Sequence, residues 1–109
     1  VNCPVEDGFI PDIGAIMAFI EATTNRRPDI IIGKPYMPIL SATEIKSGFQ
    51  IKDMAIVGDR LYTDMALSNY GVKTILVLTG ETSLEDFKLS GVHPGLVVND
   101  LNDLIKYLK

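Results

Sequence analysis

Four apolar runs set the folding problem for this chain. Ile30-Ile31-Ile32, Ala55-Ile56-Val57, Thr74 to Leu78 and Leu96-Val97-Val98 are rich in β-branched residues and nearly free of polar ones. Such runs read as strands buried on both faces, whereas a strand with one wet face would alternate. Three of them stop at a short step: Gly33-Lys34, Gly58-Asp59 and Thr79-Gly80. Segments of helical period lie between and around them. Strands and helices in alternation imply an α/β fold, a Rossmann-like parallel sheet with helices on both faces. Right-handed crossovers place the carboxyl ends of all such strands on one rim, where open α/β sheets bind their ligands. The three steps are therefore expected to meet there.

The helices follow from spacing and caps. Asp12 precedes Ile13, Ile16, Met17 and Ile20, an i, i+3, i+4, i+7 stripe that fades at Thr24-Asn25 before Pro28. A second helix is expected over Met37 to Lys46, stopping near Gly48, and a third over Thr63 to Tyr70 with Gly71 behind it. Thr82 and Glu85 have capping-box spacing for a short helix over Leu84 to Leu89. Leu101, Leu104, Ile105 and Leu108 give a last helix an inward, core-forming stripe. Val1 to Pro11, with Pro4, Gly8 and Pro11, reads as a connector.

Composition narrows the function classes. At 109 residues the chain has room for one small domain, and 47% hydrophobic residues give that domain a core. A net charge of −4 and no basic cluster beyond Arg26-Arg27 speak against nucleic acid as a partner. No apolar run nears the roughly 20 residues of a membrane span, and no signal-peptide pattern opens the chain. Cys3 is the only cysteine, which fits a reducing compartment such as the cytoplasm. The chain begins with Val1, so it is expected to be a piece of something longer.

The rim residues point to phosphate chemistry. Lys34 follows an apolar run and a glycine and precedes a helix, and its ammonium is a compact charge for phosphate oxygens. Asp59 stands at the end of the second run, and Asp64 follows five residues later. Two carboxylates around one turn suit Mg2+, which keeps several waters and takes only one or two protein carboxylates. Each residue alone has a plainer reading: a solvated lysine, a turn aspartate, a helix start. The ordered set Gly-Lys-Pro, helix, strand, Gly-Asp-x-x-x-Thr-Asp is what favours a site. For His93, in a Gly-Val-His-Pro-Gly turn, and for Cys3, the plain reading stands.

Ile32-Gly33-Lys34-Pro35, Val57 to Asp64 and Ile75 to Thr82 together resemble the haloacid dehalogenase (HAD) superfamily, within it the NagD-like and nitrophenylphosphatase-like subfamily. Gly8 to Ile20 resembles the segment that returns from that subfamily's cap domain. The resemblance implies a magnesium-dependent phosphomonoester hydrolase acting through an aspartyl-phosphate on a small phosphorylated metabolite. It implies that Lys34 steadies the nucleophile and the substrate phosphate, that Asp59 is a magnesium ligand, and that Asp64 supports the metal or its waters. Asp12 would lie toward the substrate, although a helix cap is the simpler role for it.

One departure is large. The family's nucleophile and its general acid–base form an Asp-x-Asp motif, and this chain contains none. The expectation is therefore a C-terminal part of the HAD core: residues 1–11 a connector from an absent cap, 12–109 the second half of the core. Alone it is expected to be inactive and to expose a sheet edge through which it self-associates. Two other classes stand beside this: a non-catalytic phosphate- or metal-binding module, and a flavodoxin-like domain. The latter would need an early acidic cluster or a glycine-rich phosphate loop, and the chain has no Gly-x-Gly-x-x-Gly.

Overall fold

Strands of β-branched residues do form, but only where a neighbour pairs with them. A computed structural model describes residues 2–108, which fall into two compact units divided between Ile31 and Ile32. In the first unit, β1 (Asn2–Val5) and β2 (Gly8–Pro11) pair antiparallel with Val5 opposite Gly8. The expected connector is thus a hairpin. Gly8 adopts φ 140°, a conformation side chains resist, which lets two residues close the turn. Asp12 caps α1 (Ile13–Thr24) by accepting the Ile13 N–H at 2.6 Å, and Asn25 ends the helix in the left-handed region. The stripe predicted for this helix is present, yet α1 has no buried residue, and Ile13, Ile16 and Ile20 are exposed.

The second unit holds α2 (Met37–Ser47), β3 (Ala55–Gly58), β4 (Lys73–Val77), α3 (Leu84–Ser90), β5 (Leu96–Val98) and α4 (Leu101–Ile105). Single 3-10 turns cover Ile51–Asp53 and Met65–Tyr70. β3, β4 and β5 form a parallel sheet in that order, with Ile75 between Val57 and Leu96. β4 is central. Two small core clusters flank the sheet, and β4 contributes Ile75 and Val77 to one of them. Leu40 of α2, Leu67 and Val72 form one cluster, joined by Ile56 of β3. Val77, Val98 and Leu104 of α4 form the other, joined by Ile75 and Leu96. Helices therefore cover both faces, as expected of this α/β class.

Four local expectations are corrected. Ile30 to Ile32 is not a strand: it has no pairing partner among the described residues, and Ile30 and Ile32 are exposed. An apolar run becomes a strand only when its backbone groups find a ladder, and none of the described strands offers one here. Thr63 to Tyr70 tightens into the 3-10 turn over Met65–Tyr70 instead of an α-helix. The capping box belongs to Ser83 and Asp86, one residue later than Thr82 and Glu85. In α4 only Leu104 is buried, while Leu101, Ile105 and, beyond the helix, Leu108 are exposed, so most of that stripe has nothing over it among the described residues. The outer edge of β3 likewise lacks a partner among them.

The two small cores carry the stability of this unit. Leu40, 1% exposed, is its best-buried α-helical side chain. Leu40→Ala should lower unfolding free energy by about 2–5 kcal/mol, while Leu108→Ser should stay within about 0.5 kcal/mol. Urea titrations followed by circular dichroism distinguish the two.

Candidate functional site

The carboxyl ends of β3 and β4 lie side by side because the strands are parallel neighbours in register. Their loops, residues 59–64 and 78–82, therefore face each other. Asp59 leaves β3 directly and is held by the opposite loop at two points. Its side-chain Oδ2 accepts the Glu81 N–H at 2.7 Å, and its carbonyl accepts the Thr82 N–H at 3.2 Å. Gly80 makes this approach feasible: a Cβ there would sit 2.0 Å from Asp59 Oδ2. Among the described residues, the Glu81 N–H is the one hydrogen-bond donor to the Asp59 carboxylate.

Asp64 is packed into the turn that follows. Its side chain is 1% exposed, and a buried carboxylate needs both charge and donors around it. Lys34 Nζ supplies the charge, 2.5 Å from Oδ1, and the Arg60 N–H reaches Oδ2 at 3.2 Å. The Asp64 and Met65 N–H groups return to the Arg60 carbonyl, both at 3.1 Å, and lock the loop. Gly58 is the second close approach: a Cβ on it would lie 2.3 Å from Asp64 Cγ. The Thr63 hydroxyl, between the two acids in sequence, is buried without a hydrogen-bond partner among the described residues.

Lys34 arrives by an unexpected route. It is carried by a turn, with the Tyr36 N–H bonded to the Gly33 carbonyl at 2.9 Å and a cis Lys34-Pro35 peptide, and not by the end of a strand. Its side chain is half exposed, so one face of the ammonium meets Asp64 and the rest meets solvent. Of three N–H bonds on a lysine, one is spent. Lys34 and Asp64 are thus brought together, and the Arg60 amide links Asp59's loop to them. Asp12 belongs to the first unit and does the work of a helix cap.

A further set of side chains was not foreseen. Glu81 forms an ion pair with Arg60 Nε at 2.7 Å and accepts a hydrogen bond from the Tyr62 hydroxyl. That hydrogen bond, with a smaller contribution from burial, raises the Tyr62 phenol above its ordinary value of 10.0. The signal available in the sequence was topological: Glu81 follows a glycine at the end of the strand next to Asp59's strand.

The donor set fits a hard, hydrated cation. No cluster of three or more His, Cys, Asp or Glu that could hold a metal exists among the described residues. What exists is one carboxylate with an unspent oxygen, Asp59, a second whose oxygens are both engaged, Asp64, and the unpartnered Thr63 hydroxyl. Magnesium, with few protein ligands and several waters, suits such a set.

Comparison with known proteins places the chain in a family. A family model described as HAD-hydrolase-like matches residues 31–104. An acid sugar phosphatase of Staphylococcus saprophyticus is 36% identical over 110 aligned positions, covering 100% of this chain and 42% of the relative. Its counterpart in Staphylococcus aureus is 40% identical with the same coverage. Among solved structures, a 4-nitrophenylphosphatase from Thermotoga maritima is 45% identical with a TM-score of 0.82, over 99% of this chain and 42% of that one. NagD from E. coli is 37% identical with a TM-score of 0.72, over 86% of this chain and 38% of its own. The chain thus spans about two fifths of the relatives it matches. No helix among the described residues is long and apolar enough to cross a membrane.

Two outcomes follow from this geometry. Gly58→Ala drives a methyl into the Asp64 side chain, so it should cost about 1–3 kcal/mol and move the Lys34 and Asp64 resonances together. For Tyr62, a raised folded pKa means its hydrogen bond stabilises fully below about pH 10 and is lost as pH climbs through the higher folded value. Tyr62→Phe should therefore remove amplitude from the alkaline end of the phenolate absorbance titration.

Proposed function

Because the chain belongs to the HAD-like hydrolase family, we propose that it is the lysine- and metal-bearing part of a magnesium-dependent phosphomonoester hydrolase. The observation that carries this is the Lys34–Asp64 ion pair, which joins two motifs 30 residues apart beside Asp59. Phosphoryl transfer asks a protein chiefly for positioning and for charge on the oxygens where charge develops. Lys34 supplies that charge: Asp64 fixes its direction, and its remaining N–H bonds face outward toward a phosphate oxygen. Asp59 would hold the cation through the oxygen that Glu81 leaves open, with Asp64 and Thr63 beside it to orient its waters. A magnesium ion held there would supply further neutralising charge to the phosphate. The substrate class is a small phosphorylated metabolite, in keeping with relatives named for sugar phosphates and nitrophenyl phosphate.

None of these residues is a phosphoryl acceptor. Covalent transfer needs an activated nucleophile, which in this reading is an aspartate outside the present residues. The isolated chain is then inactive, and the unpaired edge of β3 and the bare apolar stripes of α1 and α4 favour self-association. A purely binding module is the second reading, favoured by the missing nucleophile alone.

A chimera decides between them. In the Thermotoga maritima 4-nitrophenylphosphatase, the matching segment is replaced by this chain. The chimera should release phosphate from nitrophenyl phosphate only with magnesium, and Lys34→Ala or Asp59→Asn should each lower kcat by about 100-fold or more. The chain alone should release none. A folded chimera indifferent to both substitutions refutes the catalytic reading.

A further inference from the structure

The Glu81 side chain sits outside every role assigned so far, yet it touches the site from three directions. Its backbone N–H lies on Asp59 Oδ2 at 2.7 Å, its Oε2 on Arg60 Nε at 2.7 Å, and its Oε1 receives the Tyr62 hydroxyl. Arg60 and Tyr62 both belong to the loop that carries Asp59 and Asp64. One residue of the β4 loop is therefore fastened to the β3 loop by two side-chain contacts and, through its own amide, to the carboxylate between them. The residue before it, Gly80, is packed so close to Asp59 that a Cβ would overlap it, so the two loops have no slack at this point.

We propose that Glu81 is a positioning residue: its side-chain clamp on Arg60 and Tyr62 holds its own N–H on Asp59 Oδ2 and so aims the other carboxylate oxygen at the cation. The inference rests on the proposed metal role of Asp59. An aspartate side chain has two rotatable bonds, and a free one samples several orientations before it meets an ion. Magnesium tolerates little deviation from octahedral geometry, so a carboxylate fixed in advance binds it more tightly than a mobile one. The amide is available at position 81 whatever the side chain. What the glutamate adds is the fixed placement of that amide, because Tyr62 and Arg60 hold the loop that bears it. Side chains of Arg60 and Glu81 are each about one-third exposed, so the clamp lies at the rim and not in the core.

The test uses the 109-residue chain, nitrogen-15 labelled, as wild type, Glu81→Ala, Glu81→Gln and Tyr62→Phe. Two quantities are read: amide hydrogen exchange at residue 81, and the dissociation constant for magnesium from amide shifts. Glu81→Ala should speed exchange at residue 81 severalfold and weaken magnesium binding by about 10-fold or more, the range seen for groups that orient metal ligands. Exchange in β4 and β5 should not change. Tyr62→Phe and Glu81→Gln, which each keep part of the clamp, should fall between. Unchanged protection at residue 81 in Glu81→Ala overturns the proposal, as does faster exchange spread evenly across the sheet in all three variants. Asp59→Asn separates the underlying reading: if it binds magnesium as the wild type does, the metal role of Asp59 fails, while exchange at residue 81 still reports on the clamp.

Discussion

A buried carboxylate organises this site. Asp64 gives up nearly all its hydration, and that cost is offset only if a cation and hydrogen-bond donors are fixed around it. Lys34 and the Arg60 amide meet the demand, at 2.5 and 3.2 Å. The consequence runs outward. Lys34 must sit on a turn that reaches the loop after β3, that loop must curl so that Arg60 N–H and carbonyl both face Asp64, and Gly58 must lack a side chain. Asp59 is carried along because it lies between Gly58 and Arg60. The electrostatic need of one residue thus fixes the place of the others.

The sheet supplies the frame. Parallel strands in register bring two carboxyl-end loops together without any contact designed for that purpose. β4 is the central strand, its Val77 packed with Val98 and Leu104. The loops it anchors are polar and cross-bonded, while the apolar stripes of α1 and α4 remain largely bare.

Much of this was legible in the residues. β3, β4, β5 and α2 lie where apolar runs, glycines and caps place them, and Asp59 and Asp64 follow β3, because those signals are local. The failures were all failures of locality. Ile30 to Ile32 has the composition of a strand, but composition does not provide a ladder. The Leu101 to Leu108 stripe shows which face seeks burial and not whether anything covers it. Ser83 competes with Thr82 for the same cap, and a one-residue shift decides between them. Glu81 was invisible because its partners lie 19 and 22 positions away and one contact uses a backbone amide common to nearly every residue. Only the adjacency of the two strands, itself inferred, pointed to it.

The two close-packed glycines have an evolutionary consequence. Every single-base change in the first two positions of a glycine codon introduces a side chain or a stop. At Gly58 and Gly80 even the smallest replacement collides with an acid of the site. At both positions every amino-acid change open to a single base substitution therefore meets this collision, and only silent third-base changes escape it.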